Sequence, residues 1–267
     1  MNKLQTVFAG LLIAALLVYS CATVPITGRQ QLSLVSDTEM LSMSFTQYDQ
    51  FMKENKLSAN TAQANMVKQV GGRIQKAVAT YFAQNKISSQ LAGFAWEFNL
   101  VENKEVNAWC MPGGKVVVYS GILPVTKNET GLAVVMGHEI AHAVAKHSNE
   151  RMSQALLADL GGQTLSAALQ TKSEQTQQIW MSLFGIGAQV GAVLPYSRLQ
   201  ESEADRLGLI FMAMAGYDPN ASIEFWQRMS EGAGAKPPEF LSTHPSDATR
   251  LRKIKETIPE AMKYYKK

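Results

Sequence analysis

The sequence predicts an α+β fold that is mostly α, with a small antiparallel sheet packed on a helical core. Three observations carry this. Apolar residues recur at helical spacing before residue 85 and again after Asn128. The stretch between them is rich in aromatic and β-branched residues, which suit a pleated, half-buried surface. The chain has 267 residues, 46% hydrophobic and 18% charged, enough to bury one sizeable core.

Taken in order, the first element is a leader. "MNKLQTVFAGLLIAALLVYSC" has Lys3 in a short n-region, an apolar run from Val7 to Val18, and then Tyr19, Ser20 and Cys21. The apolar run is short for a bilayer span and reads as a secretory signal over residues 1–20, with an uncleaved N-terminal anchor as the alternative. Lys3 is its only charged side chain, so its removal takes the formal charge from +3 to +2. That balance, with no basic stripe, gives no case for nucleic acid. Residues 21–36 contain Pro25 and Gly28, lack a helical period and read as a tether. Residues 37–267 read as one domain.

Asp37 or Thr38 caps a helix through about Lys53, with Met40, Leu41, Phe45 and Tyr48 near one stripe. A second helix is predicted from about Thr61 to Gln84 on the spacing of Met66, Val70, Ile74, Val78 and Phe82. "FAWEFNLV" and "GKVVVYSG" read as strands, with "ENKEVNAWCMPGG" joining them and a turn at Gly113 and Gly114. Asn128 caps a helix to about Ala145. Further helices are expected from about Glu150 to Leu169, Ser173 to Val193, Tyr196 to Ala215, Pro219 to Met229 and Ser246 to Thr257, with "EGAGAKPPEF" as a loop. Gln175 to Ser197 carries no formal charge, yet its glutamines and glycines hold its hydrophobicity below that of a spanning helix, so it reads as buried helix.

The chemistry concentrates in "VVMGHEIAHAVAKH". Residues four apart share a helical face, so His138 and His142 aim at one point and suit a divalent cation. Glu139 lies about 100° round the helix from His138, within reach of a water there without being a ligand itself. The surroundings are apolar and small, and a polar group buried among them needs a partner. A zinc site needs a third protein ligand and keeps its fourth position open. In "YSRLQESEADRLG", Glu201 and Asp205 share a face with Ala204 and Gly208, a stripe narrow enough to approach the His138 helix. The spacing assigns Glu201 as third ligand and Asp205 as the acceptor that orients a histidine ring. Glu203 projects elsewhere, with Leu207 and Ile210.

These motifs resemble the HtpX-like and CaaX-prenyl-protease-like zinc metallopeptidases, a gluzincin family. The resemblance runs through "HEIAHAVAKH", "SRLQESEADRLG", "AGYDP", "NAWCMPGG" and "THPSDATR", about Asn107 to Arg250, and includes the tether "TGRQQLSLVS". It implies a gluzincin-type fold, one Zn²⁺ per chain, and protein or peptide substrates, among them unfolded or misassembled envelope proteins. It is similar to the soluble or lipid-anchored branch, and the leader's end resembles a bacterial lipobox, which makes Cys21 the lipidation candidate and membrane anchor. Ala22 after it, where no aspartate stands, points to an outer membrane facing the periplasm.

The resemblance places His244 near the metal as a reversible fourth ligand or an oxyanion stabiliser; a helix-capping or carboxylate-contacting role is the alternative. It makes "NAWCMPGGKVVVYSG" an edge strand for an extended substrate, with Asn107, Ala108 and Trp109 lining the cleft, although Trp109 equally suits a core. Arg198 is expected to neutralise the acids near it, His147 to be structural or to support a ligand, and Cys110 to be a small buried hydrophobe. Cys21 and Cys110 are the only cysteines, so once Cys21 is lipidated no disulfide is left to hold the domain. A latent metalloprotease serving chiefly as an assembly factor is the second functional reading.

Overall fold

A computed structural model describes residues 21–24, 27–160, 197–231, 239–244 and 248–266. The leader, most of "EGAGAKPPEF" and the uncharged stretch from Gln175 lie outside the described residues, as does the helix expected from Ser173. Among the described residues no helix is long and apolar enough to cross a membrane.

The chain starts with a hairpin, β1 (Cys21–Thr23) and β2 (Gln30–Leu32), paired antiparallel. Two long helices follow, α1 (Asp37–Glu54) and α2 (Thr61–Gln84). Ser36 rather than Asp37 or Thr38 caps α1, accepting from Glu39 N, and Asn60 caps α2 through Gln63 N. Such caps satisfy N–H groups that the helix itself leaves without partners.

The sheet has three strands, β3 (Glu97–Val101), β4 (Ala108–Met111) and β5 (Lys115–Tyr119), in the order β3-β5-β4. It is mixed and not wholly antiparallel as expected, because β3 runs parallel to β5 while β4 and β5 form a hairpin. The connection expected between two strands thus contains a strand of its own. Gly113 (φ 88°) and Gly114 (φ 85°) turn it back on β5, a backbone region costly to residues with a Cβ. On its far side β3 is met by residues 56–58, through Ser58 N to Leu100 O and Glu102 N to Lys56 O. Among the described residues β4 has no strand on its outer side, so it is the edge.

Alternation along the sheet separates two faces. Ala108, Cys110, Val116 and Val118 enter the main core with α2 and the helices after residue 128. Met111, Val117 and Tyr119 face α1, packing with Tyr48 and Phe51.

The remaining elements are α3 (Leu123–Thr126), α4 (Glu129–Val144), α5 (His147–Leu160), α6 (Arg198–Met214), α7 (Ala221–Glu231), α8 (Glu239–Thr243) and α9 (Ala248–Ala261). Asn128 caps α4 by accepting from Gly131 N, and Ser197 and Gln200 form a reciprocal capping box on α6. All of α4 from Gly131 to Val144 is buried, so it runs through the middle of the core. Lys146, at φ 59°, ends its run and redirects the chain into α5.

The contact between α4 and α6 is backbone to backbone. A Cβ on Gly208 would stand 2.8 Å from His138 N and 2.9 Å from the Gly137 carbonyl carbon. Only glycine allows this approach, and it brings the polar faces of the two helices within bonding distance. The narrow stripe anticipated around Gly208 is therefore where the helices meet.

Candidate metal centre

Helix α4 supplies His138, Glu139 and His142, α6 supplies Glu201 and Asp205, and the chain just beyond α8 supplies His244; all are buried. The ligand atoms of His138, His142, Glu201 and His244 all lie within 4.8 Å of one another. The separations are short. His142 Nε2 is 3.1 Å from His138 Nε2, and His138 Nε2 is 3.2 Å from His244 Nδ1. Glu201 Oε1 is 3.2 Å from His142 Nε2 and 2.9 Å from His244 Nδ1, and Glu201 Oε2 is 3.5 Å from His138 Nε2.

These distances test the fit to zinc. A tetrahedral ion bound at about 2.0–2.1 Å has ligand atoms about 3.3–3.4 Å apart, so the observed contacts are close to the edges of such a tetrahedron. The donor set, three imidazoles and one carboxylate converging from three segments, is also that of zinc. His142 suits the task, since burial holds its pKa well below the ordinary histidine value and keeps the ring neutral. For His138 burial opposes a charge, but Glu201 and Asp205 overcome it and draw the pKa up to about 9. A proton and a cation therefore compete for that ring.

Asp205 Oδ1 lies 3.0 Å from His138 Nδ1, which leaves Nε2 as the nitrogen facing the cluster. Glu139 does not face the cluster as a ligand. Its Oε1 is buried, 3.4 Å from His244 Nε2, with no hydrogen-bond partner among the described residues. Burial pushes its pKa up, partly offset by His244 and His138.

The structure differs from expectation at the charges. Arg198 is exposed at the start of α6, whereas Arg250 on α9, to which the sequence assigned no role, meets the acids of the site. That guanidinium donates through Nε and Nη2 to both Asp205 oxygens at 2.8 Å each, and its Nη1 is 2.8 Å from Glu201 Oε2. It also lies 3.5 Å above the Trp226 ring, a cation–π contact in a desolvated place. Burial alone would raise the carboxylate pKa values; Arg250 with His138 lowers Asp205, and His244 with Arg250 holds Glu201 well below the usual carboxylate range. Arg250 stood in the quoted "THPSDATR" without a role, and its position far along the chain offered no sequence signal for one.

Of the residues expected at the cleft, Ala108 sits on the core side of edge strand β4, and Asn107 Oδ1 accepts from Ala108 N just before it. Trp109 turns its ring away, edge-on to Phe51 with centroids 5.0 Å apart and to Tyr48 at 6.3 Å. The ring is half-buried there. Cys110 is a buried free cysteine whose thiol pKa burial raises further, so it is no nucleophile.

A helix offering His-Glu-x-x-His, met by a second offering Glu-x-x-x-Asp, defines the gluzincin class of metallopeptidase. The chain belongs to peptidase family M48, whose family model matches residues 68–258. It is 41% identical over 177 residues to the mitochondrial metalloendopeptidase OMA1 of Schizosaccharomyces pombe, covering 65% of this chain and 50% of that protein. With the OMA1 metalloendopeptidase of Homo sapiens it shares 31% over 249 residues, 90% of this chain and 46% of the relative. With the beta-barrel assembly-enhancing protease of Yersinia pestis it shares 37% over 161 residues, 58% of this chain and 33% of the relative. The chain thus spans about half or less of the length of the curated relatives it matches.

Proposed function

We propose that this protein is a zinc endopeptidase that hydrolyses extended segments of unfolded or misassembled envelope proteins. The observation that carries the reading is Glu139, a buried carboxylate with one oxygen that accepts no hydrogen bond, set beside a four-atom cluster of zinc-like geometry. A zinc ion held by His138, His142 and Glu201 would polarise the scissile carbonyl and bring the pKa of water toward about 7.

Glu139 takes the proton of the attacking water at its carboxylate and delivers it to the leaving amine nitrogen. Its raised pKa suits an exchange in both directions. Strand β4 offers its outer edge to a substrate backbone, so recognition rests on main-chain hydrogen bonds, as an unfolded substrate requires. A zinc ion there would have His244 within reach as a fourth donor, and withdrawal of that ring would give the substrate carbonyl a place. Once withdrawn it is placed to stabilise the oxyanion. Lipidation at Cys21 would hold the domain at a membrane, for which the outer membrane facing the periplasm is our reading.

The position of His244 favours a second reading, a latent protease acting chiefly in envelope-protein assembly. The similarity to an assembly-enhancing protease supports it. The test of the primary reading is cleavage of casein before and after chelation. We expect activity that is lost to the chelator and returns with one equivalent of zinc; activity indifferent to chelation would refute it.

A further inference from the structure

Residues expected as a tether are docked against the domain. Gln31 Nε2 donates to Ala145 O at 3.0 Å, Asn149 Nδ2 to Val35 O at 2.8 Å, and Ser153 Oγ accepts from Leu34 N at 2.8 Å. Between β1 and β2, Arg29 donates through Nη1 and Nη2 to the two oxygens of Glu150 at 2.7 and 2.8 Å. Its Nε donates to Glu203 Oε2 at 2.6 Å, and Thr27 Oγ1 donates to Glu203 Oε1 at 2.5 Å. Glu150 and Glu203 are both buried, and Gln200 Nε2 donates to Glu150 as well. Two buried acids from α5 and α6 are thus joined by one arginine from the N-terminal hairpin.

The chain of contacts continues inward. Glu203 Oε2 is 3.4 Å from His147 Nε2, and His147 Nδ1 is 2.9 Å from His142 Nδ1. His147 is wholly buried. A His142 that offers Nε2 to the cluster carries its proton on Nδ1, and that proton points at His147 Nδ1. His147 then carries its own proton on Nε2, which lies 3.4 Å from Glu203 Oε2, an electrostatic contact without hydrogen-bond geometry. The opposite tautomer of His147 would set two N–H groups against each other at that distance. Each ring is therefore fixed by the next, and the series ends on a carboxylate held by Thr27 and Arg29.

We propose that the hairpin is a strap that positions the metal site: Arg29 acts through Glu203 and His147 to hold the ring and tautomer of His142, so metal affinity depends on the docked N-terminus. Arg29 is a positioning residue and touches no substrate. The strap begins at Cys21, so the segment proposed for membrane attachment and the segment that orders a ligand are one. The inference rests on the metal reading above.

The test uses the full chain stripped of metal, with zinc affinity measured by chelator competition and the visible spectrum recorded after cobalt(II) substitution. Arg29→Met is expected to bind zinc about 10- to 100-fold more weakly, the effect ordinarily seen when a group behind a metal ligand is lost, and to shift the cobalt bands. Arg29→Lys should recover part of the affinity. Arg206→Met, which breaks the solvent-exposed Arg206–Glu260 pair, should leave both readouts unchanged. If Arg29→Met fails to fold, Thr27→Val removes a single donor to Glu203 and should show a smaller loss in the same direction. Wild-type affinity and an unchanged cobalt spectrum in Arg29→Met, or in Thr27→Val where Arg29→Met cannot be made, overturn the strap alone. A wild-type chain that takes up no zinc overturns the metal reading and the strap with it.

Discussion

Glu139→Gln is expected to lower casein cleavage by roughly 10²- to 10⁴-fold while zinc affinity stays at the wild-type value. The substitution keeps the shape of the side chain and removes its ability to hold a proton. Glu139 is no member of the four-residue ligand cluster, so its loss leaves that set intact. The amide also takes the place of a carboxylate buried against His244 Nε2, at 3.4 Å, so His244 loses an ionic neighbour. Cleavage rates and zinc affinity measured on one preparation separate the two effects. Wild-type cleavage by Glu139→Gln would remove the residue from the chemistry. The same variant decides between the two functional readings: rescue of an envelope defect without cleavage favours the assembly role, and loss of both favours proteolysis.

Arg250→Met is expected to cost the metal-free protein about 3–5 kcal/mol, as when one member of a buried ion pair is deleted. Methionine retains much of the apolar stem but removes the guanidinium over Trp226, and it leaves both Asp205 oxygens and Glu201 Oε2 without the group that each now meets at 2.8 Å. Asp205 also loses the cation that opposes its burial, so it takes up protons more readily and orients His138 less well. Zinc offers Glu201 a replacement charge, so the loss should be smaller when the metal is bound. Urea unfolding of the metal-free and zinc-loaded forms checks this. A metal-free loss below about 1 kcal/mol would show that Arg250 is dispensable to the acids around it.

The parts of the site visible in the sequence are those that helical periodicity can order. His138 and His142 are four residues apart, as are Glu201 and Asp205, and Gly208 continues the second stripe; each relation stays within one helix. Strand β4 was foreshadowed only by the resemblance and not by its own pattern, because its pairing depends on a glycine turn and on a partner strand, with little strand propensity in the residues leading into it. The ring of Trp109 faces α1 because strand alternation sends it there, and that phase was set only once the hairpin register was known. Glu203 was recognised as leaving the face of Glu201, yet its destination, a hairpin some 170 residues away in sequence, has no local signature. His147 fell outside the helical count because Lys146 breaks the helix between it and His142. Arg250 reaches the acids from the far end of the chain, which spacing cannot foresee.

The central claim is that side chains from two crossing helices gather one divalent cation. Metal content of the purified chain, measured by elemental analysis alongside Glu201→Ala, tests it most directly. The account predicts one zinc per wild-type chain and its loss from the variant. A wild type free of zinc after growth in zinc-replete medium, or a variant that retains a full equivalent, would contradict it.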